Sequence, residues 1–161
     1  MTMPRTRAAP HQRLRGFTLV ELMITVIVLG IIATMALPAF SRMIVAQRSR
    51  NAASDLASAI TLARSEAVKR NAAATLSASG TWASGWSVMA GAETVRGFGP
   101  YDGLAITASG GTALALGNDG RPDGGGQTFQ IAPTGGTQGD ATLCVQVSGT
   151  GRVSMTSGTC S

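Results

Sequence analysis

The chain has 161 residues, 44% of them hydrophobic and 13% charged, enough for one modest domain with an appendage. Its formal charge of +5 is unevenly placed: Arg5, Arg7, Arg13 and Arg15 precede Gly16 with no acid among them, residues 41–70 carry +4, and residues 71–161 carry −2. This argues against a basic nucleic-acid face on the C-terminal half, and against a tetrahedral zinc site, since there are two Cys and the only His, His11, lies before Gly16.

From Phe17 the chain reads FTLVELMITVIVLGIIATMALPAF, an apolar run of about the 20 residues that a membrane-spanning helix needs. An ordinary secretory signal has a shorter hydrophobic core and a small-residue cleavage site after it, which here would fall near Ala39. The run is longer than that and contains one charge, Glu21. A carboxylate in an apolar helix is costly without a partner and therefore points to a function. One reading keeps Glu21 hydrated near the headgroups with help from the positive helix N-terminus. The other pairs it with a positive group on a neighbouring subunit. Gly30 and Pro38 are weak points of the helix, because Gly costs about 1 kcal/mol and Pro removes a hydrogen bond.

The stretch Arg15-Gly16-Phe17-Thr18-Leu19-Val20-Glu21-Leu22 resembles the processing site of type IV prepilins and type II secretion pseudopilins. The resemblance implies that a membrane-embedded prepilin peptidase cuts after Gly16 and methylates the new N-terminal Phe17. It makes Glu21 the residue that aligns an incoming subunit, through the free α-amino group that cleavage creates on a neighbour. It also implies that the helix unwinds locally around Gly30 and Pro38 within a filament. Residues 1–16 are then a leader and 17–40 a transmembrane and filament-core helix. The leader's four Arg residues keep the N-terminus cytoplasmic and send the C-terminal part to the periplasm, although Arg42, Arg48 and Arg50 follow the span closely.

After Pro38 the pattern stays helical but becomes amphipathic, with Leu56, Ile60, Ala63 and Ala67 on one face and Asp55, Arg64, Glu66, Lys69 and Arg70 on others. A helix from Phe17 to Arg70 would run about 80 Å. Residues 41–71 are expected to lie half buried on a head of residues 72–161. Leu62 to Asn71, together with Trp82 and Gly85-Trp86, resembles the GspH/FimT family of minor pilins and pseudopilins. Read physically, the same residues are a solvated helix face, a helix stop at Asn71 and two bulky core anchors.

Beyond Asn71 the segments 73–78, 86–90, 104–108, 113–116, 128–132, 141–147 and 152–155 read as strands, separated by Gly-rich turns at 117–120, 122–126 and 148–151. The expected fold is α+β and pilin-like, a long N-terminal helix packed on a small antiparallel β-rich head. The Gly clusters lack a phosphate-loop pattern, and Asp119 and Asp123 are too few for a calcium loop.

Cys144 and Cys160 read as a disulfide in a chain sent to an oxidising periplasm, the alternative being two free thiols. If Val147 faces Arg152 across the last hairpin, Cys144 faces Met155, so the bond needs the tail to fold back at Ser157-Gly158 and staples it to the sheet.

Three functions follow. The first is a non-enzymatic minor pilin that helps initiate or cap a type IV pilus, with other pilins, the prepilin peptidase and the inner-membrane assembly platform as partners. The second is the minor pseudopilin of type II secretion, protein H. The third is DNA binding in natural transformation. Some members of the family contact DNA through a Gly-Arg-x-Arg motif, which here reads Gly151-Arg152-Val153-Ser154 and leaves Arg152 as the one candidate contact. Without a His, a metal cluster or a nucleophile with an evident base after Gly16, the sequence points to neither catalysis nor a cofactor.

Overall fold

A computed structural model describes residues 16–135 and 141–161. The basic segment with Arg5, Arg7, His11, Arg13 and Arg15, and also Asp140, lies outside the described residues.

Helix α1 runs Leu19–Arg70. Both of its ends are written in the sequence. At the start, the Glu21 N–H donates to Thr18 Oγ1 at 3.2 Å and the Thr18 N–H donates back to the Glu21 carboxylate at 3.0 Å. This reciprocal capping box satisfies two backbone donors that a helix start leaves open. Thr18 is therefore the cap, and the helix starts two residues later than Phe17. At the other end Asn71 adopts φ +48°, the Ala72 N–H reaches Ala67 O and the Asn71 N–H reaches Val68 O. Those two bonds form a Schellman motif, closed by an Asn that tolerates the left-handed conformation.

The chain divides into two compact units after Ala39. In the first, every residue from Gly16 to Leu37 is exposed. Among the described residues this is the one helix long and apolar enough to cross a membrane.

The second unit holds the core. Its eight strands are β1 (Ala74–Ser79), β2 (Thr81–Ala90), β3 (Glu93–Phe98), β4 (Leu104–Ala108), β5 (Ala113–Leu116), β6 (Gln127–Pro133), β7 (Leu143–Val147) and β8 (Val153–Ser157). They form two four-stranded antiparallel sheets, ordered β3-β2-β1-β5 and β4-β6-β7-β8. The helix contributes Ala52, Ala53, Leu56, Ala59, Ile60, Ala63 and Ala67 to the core, spaced by one, three or four residues along one face. Small Ala side chains let the helix approach the sheets, and Leu56 and Ile60 fill the space between. Burying each of these two is worth about 1.5–3 kcal/mol. From the sheets, Leu76, Trp86, Val88, Leu116, Phe129, Ile131, Val145 and Val147 meet them.

Both Trp residues are buried in β2. Trp82 Nε1 donates to Gly111 O at 2.7 Å, its ring meets Phe129 edge-on, and Trp86 stacks on Tyr101 with centroids 4.6 Å apart. Gly85, between them, has φ +108°, and a Cβ there would stand 2.5 Å from the Phe98 carbonyl oxygen. Only glycine lets the two backbones come this close.

Beyond shifts of one or two residues at strand ends, the strands differ from the sequence expectation in three places. β2 begins at Thr81, five residues before Trp86, and β3 was not expected at all. β3 is a charged, mostly exposed edge, so it shows no alternation of buried and exposed positions to read. The third difference is the register of the last hairpin. Val147 pairs with Val153 and Cys144 with Thr156, not with Arg152 and Met155. Arg152 instead pairs with Ser148, whose N–H donates to Arg152 O while its hydroxyl accepts the Arg152 N–H. That leaves a three-residue loop, with Gly151 at φ +77° in the left-handed position that such loops use.

Candidate processing and assembly site

The motif residues lie together at the start of α1. A Cβ on Gly16 would meet nothing within 4 Å, and Phe17 is 74% exposed, so no described residue covers the bond between them. One carboxylate oxygen of Glu21, Oε2, accepts both the Thr18 N–H and the Thr18 hydroxyl at 3.0 Å. The other, Oε1, has no partner among the described residues. Cleavage after Gly16 would leave this arrangement intact, because the Thr18 N–H belongs to the peptide bond with Phe17. Thr18 as the partner of Glu21 was legible in the Thr-x-x-Glu spacing but was not read from it.

Several polar side chains of the head are engaged with one another. Arg70 bridges Glu66 at 2.7 Å and Glu93 at 2.6 Å, tying the helix end to the start of β3. The Arg70 hydrogen bond, helped by Lys69, holds the Glu66 carboxyl below the usual carboxylate value, while Glu93 and Glu66 push the Arg70 guanidinium up. Tyr101 donates its hydroxyl to Asp55 at 2.9 Å. Burial, and then that bond, drive the phenol well above its ordinary value. Neither contact was foreseen, since a partner 46 or 23 residues away leaves no local spacing to detect.

Cys144 and Cys160 are bonded, with Cα atoms 5.1 Å apart. The tail turns at Gly158, whose N–H donates to Thr142 O, and the Cys160 N–H reaches Gln130 Oε1. Arg152 is exposed beside the hairpin loop. Gly151 next to it packs on Gly120 and on the Arg64 side chain. Arg121 is paired with Asp119, and Arg96 lies over the Phe98 ring. No group of three or more His, Cys, Asp or Glu that could hold a metal occurs among the described residues.

The family model for type II transport protein GspH matches residues 52–151, more than half of the chain. The chain belongs to the GspH family. The prokaryotic N-terminal methylation motif matches residues 12–37, across the Gly16-Phe17 bond and Glu21. Among solved structures the GspH-family chain is similar to the type IV minor pilin FimU of Pseudomonas aeruginosa (strain PAO1) in two crystal forms. One is 24% identical, covering 66% of this chain and 87% of that one with a TM-score of 0.58. The other is 25% identical, covering 66% and 91% with a TM-score of 0.57. It is also similar to the minor pseudopilin EpsH from the type 2 secretion system of Vibrio cholerae, at 13% identity, 68% and 97% coverage and a TM-score of 0.54. No curated protein matches the chain. The GspH-family chain is thus a minor pilin or pseudopilin of a type IV pilus or type II secretion system, with a membrane-anchoring helix. Its family is structural and implies assembly with other pilins and handling by the prepilin peptidase.

Proposed function

We propose that this chain is a type IV pilus minor pilin that helps initiate or cap the filament. Its leader is cut between Gly16 and Phe17, Phe17 is N-methylated, and Glu21 guides its insertion beside a neighbouring subunit. The observation that carries the reading is the Glu21 carboxylate held by Thr18 through Oε2, with Oε1 without a partner among the described residues of an exposed apolar helix. An acid fixed in this way is oriented before assembly and keeps one acceptor for a neighbour's terminal amine. Its immediate partners are other pilins, the prepilin peptidase and the inner-membrane assembly platform. The head lies in the periplasm, where the Cys144–Cys160 bond is stable, and the leader in the cytoplasm.

Intact mass and N-terminal sequencing, with and without the prepilin peptidase, test the reading. A chain starting at methylated Phe17 only when the peptidase is present supports it; an uncut chain, or one cut near Ala39, overturns it. The pilus is preferred to the secretion filament because one FimU form is 25% identical and EpsH 13%. Deletion should therefore abolish surface pili and leave exoprotein secretion unchanged. DNA binding finds little support, since Arg152 supplies about one phosphate contact. The purified protein is expected to give no DNA shift at low salt; a shift abolished by Arg152→Ala would restore that reading.

A further inference from the structure

A sheet edge is a row of unpaired backbone donors and acceptors, so each of the four edges in the head must be covered, blunted or used. β5 is covered by its own loop: the Asp123 N–H bonds Ala115 O, and Pro122 bridges to Leu116. β4 lies against β2 of the other sheet. β3 carries Glu93 and Arg96 along its edge. The sequence of β8, Val153-Ser154-Met155-Thr156-Ser157, has no charge and no Pro, and four of its five residues are exposed.

The ladder fixes which groups β8 offers. The Ser148 N–H bonds Arg152 O, and the Gly158 N–H bonds Thr142 O. Hydrogen-bonded and non-bonded pairs alternate in an antiparallel ladder. With the register in place, Ser154 and Thr156 turn their backbone groups toward β7, while Val153, Met155 and Ser157 turn theirs outward. The side chains of these last three lie on the same face as their partners Val147, Val145 and Leu143, the face toward the helix. There an apolar groove of about 180 Å³ opens between α1 and β8, lined by Arg50, Ala53, Leu143, Met155, Thr156 and Ser157. Met155 is 53% exposed in it.

We infer that β8 is a docking edge that takes an extended segment of a different pilin-type subunit as a ninth strand. The occupant's backbone would bond Val153, Met155 and Ser157, and every second side chain would enter the groove, the arrangement by which an added strand gains both affinity and specificity. Two features identify the occupant. Arg50 at the groove has no ion-pair partner among the described residues, so the incoming segment carries a carboxylate as well as small apolar side chains. The groove also continues a stripe on α1, Met43, Ala46, Arg50 and Ala53 at spacings of three and four, whose lower end is the exposed Met43. That stripe gives a neighbouring subunit a continuous face of α1 within the second unit along which to reach the groove. The inference rests on the filament reading given above.

A photo-crosslinking benzophenone residue replacing Ser157 in the full chain, in cells that assemble the filament, tests it. The expected adduct joins Ser157 to an extended, acid-bearing segment of another pilin-type subunit, mapped by mass spectrometry. Met155→Pro should lower its yield about tenfold or more, because Pro removes an outward donor and intrudes on the added strand without breaking a bond to β7. Met155→Ala, which keeps that donor, should lower it only slightly. Arg50→Glu, outside the strand, should lower it too and serves if Met155→Pro fails to form the Cys144–Cys160 bond. A chain processed at Gly16 that gives no adduct, an adduct only with a second copy of itself, or an adduct indifferent to Met155→Pro and Arg50→Glu overturns the docking edge and leaves the filament reading standing. A chain never processed at Gly16 overturns both.

Discussion

Single side chains in this head act mainly as ties between segments far apart in sequence. Tyr101 shows this best, because its ring stacks on Trp86 while its hydroxyl holds Asp55 of the helix. Tyr101→Phe keeps the stacking and removes only the hydrogen bond, so the head should lose about 1 kcal/mol in denaturant unfolding. A loss near zero would mean that water replaces the phenol without cost. Glu66 makes the second tie and brings a pH dependence. Its folded-state value lies below the ordinary 4.5 because Arg70 and Lys69 favour the carboxylate. The stabilisation is therefore present above about pH 4.5 and is lost as the pH falls through the lowered value. Glu66→Gln should melt below the parent near pH 7, and the gap should close as the pH falls through the lowered value. A gap that persists in acid would assign the effect to packing instead of charge.

At the scale of elements, the C-terminal hairpin and its staple show how the sequence and the fold diverge. A helix with a stop at Asn71 was readable because its apolar periodicity and an Asn that accepts positive φ are both local features of the sequence. Strands β4 and β5 were readable to the residue, since their apolar runs end at Gly-rich turns. β3 was not, because Glu93 to Phe98 is an edge whose side chains are mostly solvated and so carry no pattern. The last hairpin was placed one residue out of register because Ser148 pairs with Arg152 instead of belonging to the loop. The processing motif was legible because it is contiguous, whereas the groove beside β8 joins residues of α1, β7 and β8 and no stretch of sequence announces it. Once Cys144 is opposite Thr156, Cys160 can reach it only after the turn at Gly158, and the bond anchors a tail otherwise held by two backbone N–H groups. Changing both cysteines to Ala should lower head stability by about 3 kcal/mol, the chain-entropy value for a loop of about 15 residues. It should also raise amide exchange in β8 more than in β1. Uniform loss of protection would mean that the bond supports the whole sheet and not its edge.

For the molecule as a whole, the two units meet different solvents. From Gly16 to Leu37 every side chain is exposed, and Leu19, Leu29 and Met35 are each more than 60% so, which in water would favour aggregation. Only a bilayer, or the apolar interior of a filament, gives that surface a favourable environment. The core of the second unit, in contrast, begins at Ala52. The division implies that stability and assembly are separable. A chain beginning at Ser41, exported to an oxidising compartment by a cleavable signal, should form the Cys144–Cys160 bond and unfold at the same midpoint as the head of the full chain in detergent. A chain beginning at Asp55 should melt lower, because it lacks Ala52 and Ala53 and exposes the apolar side chains they cover. Thermal unfolding of the three chains decides the matter. If the Ser41 chain is already destabilised, the exposed helix stabilises the head, and membrane extraction would then be coupled to head folding. If it is not, the helix is free to change surroundings from lipid to filament while the head stays folded, as a subunit drawn from the membrane into a growing fibre requires.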